Sequence, residues 1–168
     1  IEGIVVDTSI YTKQENPKLE KTIFFGDDDY YNIFLALVEK SGEFDINLLM
    51  GHYFFLGNEK IFDKHFANVI DEEEYVETIK DSKYLLTASL QTALESLACG
   101  NKPVLFKRED KIYDEKLIEK LNLPVIEAND LKDLLEKFDT SINEYPIISN
   151  FNIISLENIK EEIKEKID

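Results

Sequence analysis

The chain has 168 residues, 43% of them hydrophobic and 32% charged, with a formal net charge of −16. This describes a soluble globular protein long enough for a real core, and it argues against nucleic acid or an anionic membrane surface as a partner, since these require clustered Lys and Arg. The single cysteine, Cys99, excludes an internal disulfide and points to a reducing, cytoplasmic compartment.

No apolar run approaches the length of a spanning helix, and no signal peptide is visible. Gly3 to Asp7 is a short strand candidate, and the polar stretch Thr8 to Glu20 reads as a surface connector. Lys21 to Gly26 is a buried strand ending in glycine. Asp27, Asp28 and Asp29 follow, suited to capping the helix Tyr30 to Lys40, in which Ile33, Phe34, Leu37 and Val38 recur at helical spacing. Phe44 to Met50 is the next strand, closed by Gly51 and His52. After an aromatic-rich segment, Tyr53 to Phe66, come a short strand, Asn68 to Ile70, and an acidic helix, Asp71 to Lys80, with Tyr75, Val76 and Ile79 inward.

Ser82 to Phe106 reads as strand, tight loop, helix and strand. Tyr84-Leu85-Leu86 is the continuous apolar run that a central parallel strand requires. Ser89 or Gln91 can open the helix and Gly100 can close it. Leu90, Ala93, Leu94, Leu97 and Ala98 form one apolar face, while Thr92, Glu95 and Cys99 share another. Cys99 itself reads as a buried structural thiol. Lys107 to Lys111 is a charged loop, Tyr113 to Leu121 a helix, and Pro124 to Ile126 a last strand. Asn129 or Asp130 caps a helix through Phe138, a turn-rich link follows from Asp139 to Asn150, and Ser155 to Ile167 is a terminal amphipathic helix.

Strands alternating with helices at this spacing predict an α/β fold, a doubly wound, mostly parallel Rossmann-like sheet in three layers. The sheet is expected to wind outward from Lys21–Gly26 through Phe44–Met50 and Asn68–Ile70, then return across the first strand to Tyr84–Thr87. The switch point then lies between Gly26 and Thr87, where open α/β sheets place ligands.

Asp81 to Val104, with Thr92, Glu95, Ala98, Gly100 and Pro103 in order, resembles the C-terminal nucleotide-sugar-binding domain of GT-B-type enzymes. Within that class it resembles the UDP-sugar hydrolases of pseudaminic acid biosynthesis and the MurG-like glycosyltransferases. Gly26, Asp29 and Gly51 also match that pattern. The resemblance implies one Rossmann-like domain over residues 1–168, the C-terminal half of a longer protein whose N-terminal domain precedes Ile1. It implies a UDP-sugar or related nucleotide sugar as ligand, and hydrolysis or transfer at its anomeric carbon. It assigns nucleotide-sugar contacts to Gly26, Asp29, Gly51, Ser89, Gln91, Thr92 and Glu95, with Glu95 on the ribose and Gln91 and Thr92 near phosphate. No catalytic base stands out, and no cofactor is implied.

Three departures bear on the site. Ser89-Leu90 stand where paired glycines would approach a diphosphate, Asp27 replaces the second glycine of the first loop, and Asn101 is inserted before Lys102-Pro103. The three carboxylates would repel an anionic ligand unless a cation intervenes. No His-x-x-x-His, Cys-x-x-Cys, Walker or GxGxxG pattern is present, so no metal site is expected. Two alternatives stand beside this reading. One is a degenerate, non-catalytic α/β interaction domain. The other is a phospho-accepting domain that resembles response-regulator receivers, with Asp71 as acceptor and Thr87 and Lys107 as its partners.

Overall fold

A computed structural model describes residues 6–26, 33–39, 42–51, 59–127 and 130–146. Six strands make one parallel sheet: β1 (Leu19–Phe24), β2 (Phe44–Leu49), β3 (Phe66–Ile70), β4 (Ser82–Thr87), β5 (Lys102–Phe106) and β6 (Val125–Ile126). Their order across the sheet is β3-β2-β1-β4-β5-β6, so the winding reverses between β1 and β4, as expected. The helices are α1 (Ile33–Glu39), α2 (Glu59–Asp63), α3 (Tyr75–Asp81), α4 (Leu90–Ala98), α5 (Glu115–Leu121) and α6 (Leu131–Asn143), with a 3-10 turn at Glu72–Glu74.

Successive strand residues enter two separate cores, because side chains alternate across a pleated sheet. Ile23, Leu48, Leu86 and Val104 pack with Phe34 and Val38 of α1, Phe62 of α2 and Leu131, Leu134 and Phe138 of α6. Their neighbours Phe24, Leu49, Leu85 and Leu105 pack with Ile79 of α3, Ala93 and Leu94 of α4 and Ile118 and Leu121 of α5. The result is a three-layer, doubly wound α/β sheet.

Several boundaries move for identifiable reasons. β1 ends at Phe24 rather than Gly26, whose φ of +146° lies outside the strand region. Val6 holds only an isolated bridge, and Asp7 opens a turn that accepts from the amides of Ile10 and Tyr11. The connector after it is not wholly surface, since Tyr11 is buried against the α4 side of the sheet. On α3, Tyr75, Thr78 and Ile79 share the inner face at i, i+3 and i+4; Val76 points outward, contrary to expectation. α5 starts at Glu115, because Asp114 supplies the cap to Leu117, and Tyr113 stays in the preceding loop. Asp130 caps α6, which continues past Phe138 to Asn143. Asp27–Asp29, His52 and the expected terminal helix Ser155 to Ile167 lie outside the described residues.

The topology also disposes of the receiver alternative. Asp71 follows the edge strand β3, and three strand steps of about 4.8 Å, roughly 14 Å in all, separate that strand from β4 and Thr87. Asp71 caps the 3-10 turn through Glu73, Thr87 Oγ1 accepts from the Ser89 amide, and Lys107 pairs with Glu115. These groups serve three separate local purposes.

Candidate functional site

The loops after β1, β4 and β5 meet at the winding reversal. Phe25 and Gly26 leave β1, Ala88 to Leu90 turn from β4 into α4, and Arg108 to Tyr113 leave β5. Together they enclose a cleft of about 230 Å³ lined by Phe25, Gly26, Ala88, Ser89, Leu90, Arg108, Lys111, Ile112 and Tyr113.

Three amides of the β4–α4 turn are bonded within the chain. Ala88 N–H donates to the Phe24 carbonyl at 3.3 Å, and Ser89 N–H to Thr87 Oγ1 at 3.0 Å. Ser89 is the N-cap of α4, accepting from Thr92 N–H at 3.2 Å, so of the two expected openers Ser89 is the one used. At the other end Gly100 takes φ +77°, its amide donating to Leu97 and the Asn101 amide to Ser96, which is a Schellman closure. The inserted Asn101 then has a structural purpose. Its side-chain amide donates to the carbonyls of Ile79 and Lys80, satisfying the last turn of α3.

Thr92 and Glu95 lie deeper than a solvated helix face would place them. Glu95 is only 7% exposed, and Tyr75 Oη donates to its Oε1 at 2.5 Å. The same hydroxyl lies 2.7 Å from Thr92 Oγ1. Glu95 also acts on Tyr11, from the N-terminal connector. Burial first, then the charge and hydrogen bonding of Glu95, push the pKa values of Tyr11 and Tyr75 well above the ordinary phenol value. Neither Thr92 nor Glu95 lines the cleft. Gly26 and Ser89 do; Gln91 is half-buried outside the lining, and Gly51 is buried after β2. Asp29 lies outside the described residues. Cys99 is fully buried at the end of α4, as expected, and burial is the main force pushing its thiol up to about 11.

Sequence reasoning missed Arg108. Within a run of charged residues it reads as surface, yet it is 4% exposed and its guanidinium carbon stands 4.3 Å from the centre of the Phe25 ring. Nε and Nη2 donate to the two oxygens of Asp110 at 2.8 and 2.6 Å, a bidentate fork. Burial works to raise the Asp110 pKa, but the hydrogen bonds and charge of Arg108 outweigh it and hold the carboxyl below its usual range. Tyr113 Oη donates to the Ala88 carbonyl at 2.6 Å and accepts from the Arg108 amide at 3.0 Å, tying the two loops together. Gly26 is required here on two grounds. Its φ disfavours other residues, and a Cβ would stand 3.0 Å from Arg108 Nη1. The sequence signals were the glycine after β1 and the single arginine of the chain, which follows β5, neither diagnostic alone.

Among the described residues no group of three or more His, Cys, Asp or Glu side chains is placed to hold a metal, and no helix is long and apolar enough to cross a membrane. No family model matches the sequence, and no curated protein matches it either. Among solved structures, the chain is similar to the crystal structure of the C-terminal domain of a glycosyl transferase group 1 family protein (LpcC) from Francisella tularensis. The two share 14% identity at a TM-score of 0.49, over 82% of this chain and 88% of that one.

Proposed function

We propose that this chain is the C-terminal, nucleotide-sugar-binding domain of a GT-B-like glycosyltransferase or nucleotide-sugar hydrolase, with a UDP-sugar as ligand and an N-terminal domain as partner. The observation that carries the reading is the cleft at the β1/β4 reversal, where Gly26 and Ser89 face a buried arginine. Carboxyl-end crevices at such reversals take nucleotides in open α/β sheets. The order of Thr92, Glu95, Ala98, Gly100 and Pro103 supports the same family reading. In that arrangement the chain contributes ligand contacts, and the partner domain contributes the acceptor or the catalytic base.

A second reading, a degenerate interaction domain that kept the scaffold, has its own support. The Glu95 carboxylate accepts from Tyr75 of this chain, and the amides of Ala88, Ser89 and Thr92 are already bonded within it. Amide shifts on titration with UDP and UDP-N-acetylhexosamines separate the two. Saturable shifts at Ser89 to Glu95 are expected for a nucleotide-sugar domain, and a silent turn at millimolar ligand would leave the degenerate reading.

A further inference from the structure

We propose that the groove between α1 and α6 is a docking surface for a partner helix that carries an apolar stripe flanked by lysine or arginine. The inference stands apart from the nucleotide-sugar reading and does not rest on it.

The groove measures about 500 Å³ and opens on the α1/α6 side of the sheet, at the carboxyl end of β5. Only Arg108 lines both this groove and the β1/β4 cleft. Ile33 and Leu37 of α1 and Phe106, the last residue of β5, give it an apolar lining. Phe106 is buried, whereas Ile33 and Leu37 are half-buried: they pack inward on the core and keep an outer side on the groove. These two stand at i and i+4, and such a row is the ridge by which one helix packs against another.

Charge selects the partner. Both lysines at the groove are committed within the chain. Lys107 pairs with Glu115, while Lys137 pairs with Asp133 at 3.1 Å and donates to the Glu127 carbonyl. The side-chain carboxylates of Glu109 and Glu127 are exposed and form no ion pair among the described residues. They leave the mouth of the groove negative, on a chain whose net charge is already −16. A helix that lays leucine side chains along the Ile33–Leu37 ridge brings its flanking residues to these carboxylates. Lys or Arg there gains complementary charge, and Asp or Glu is repelled. An amphipathic helix read through an apolar groove is a recurring mode of peptide recognition.

The test is a titration of the whole chain with a blocked peptide of about 18 residues, long enough to be helical in water, with a Leu stripe at helical spacing and Lys elsewhere. Binding is followed through the Ile33 and Leu37 methyl signals. Two control peptides run alongside: one with Glu in place of Lys, and one of the same Lys/Leu composition with the stripe scrambled. Saturable shifts of both methyls are expected with the striped Lys peptide alone. L37N is expected to weaken it at least about fivefold, and the double variant E109Q/E127Q severalfold. E73Q/E74Q removes two charges in the 3-10 turn after β3, the opposite edge strand, and should leave binding unchanged. If L37N does not fold, the two charge variants decide alone. Equal binding by the scrambled peptide, or equal losses in E73Q/E74Q and E109Q/E127Q, overturns the proposal, because net charge by itself then attracts the polycation. Equal binding by the Glu peptide overturns the choice of partner, and no binding by the striped Lys peptide overturns the docking surface itself.

Discussion

Replacing Tyr75 with phenylalanine isolates what holds Glu95. The ring keeps its edge-on contact with Phe24, with centroids 5.2 Å apart, so Y75F deletes one hydroxyl and little packing. That hydroxyl donates to a carboxylate that is 7% exposed and also touches Thr92 Oγ1. A hydrogen bond to a buried charged group contributes about 1.5–3 kcal/mol. For a domain of this size each kcal/mol moves Tm by about 2–4 °C, so Y75F should melt roughly 3–12 °C lower. The phenol keeps its proton because its pKa is raised, so this stabilisation is constant below about pH 10, the ordinary tyrosine value, and is lost only as pH climbs through the raised one. Urea unfolding of Y75F, E95Q and the double variant measures the coupling, expected at about 1 kcal/mol or more for groups in direct contact. A loss below about 0.5 kcal/mol with a coupling near zero would falsify the reasoning. Tyr75 would then not be the group that holds Glu95.

Three further outcomes are expected. Asn101→Ala removes both side-chain bonds to the end of α3 and should cost about 1–3 kcal/mol in denaturant unfolding, with the loss of amide protection concentrated at Lys80 to Ser82. Gly26→Ala forces a Cβ against Arg108 at a φ that other residues avoid. It should cost about 1–3 kcal/mol and shift the Arg108 Nε–H signal, whereas Gly42→Ala, with open space around it, should leave that signal in place. Cys99, with its thiol pushed up to about 11, should resist alkylation at neutral pH. Its neutral form is favoured in the folded state, so its contribution of roughly 2–3 kcal/mol is complete below about pH 9 and is lost as pH rises from there through 11. Thiol titration in native and unfolded protein checks both the value and the sign.

The architecture was legible in the sequence because it rests on periodicity. Continuous apolar runs such as Tyr84-Leu85-Leu86, alternating with helical spacing such as Phe34 and Val38, determine a parallel sheet covered on both faces. Short crossovers then leave one natural winding, and the reversal between β1 and β4 followed from it. The caps Ser89, Asp114 and Asp130 and the closing Gly100 were also readable, since each satisfies backbone groups within a few residues of itself.

What only the tertiary structure decided are the pairings between distant segments. A charged run does not announce that Arg108 lies under its own loop, because its burial depends on Phe25 and Gly26, more than eighty residues earlier, and on Asp110 beside it. Helical spacing placed Thr92 and Glu95 on one face, but whether that face meets water or Tyr75 and Tyr11 depends on how α3 and the N-terminal connector pack over α4. Local spacing determines which side chains share a face; only the packed sheet determines what that face meets.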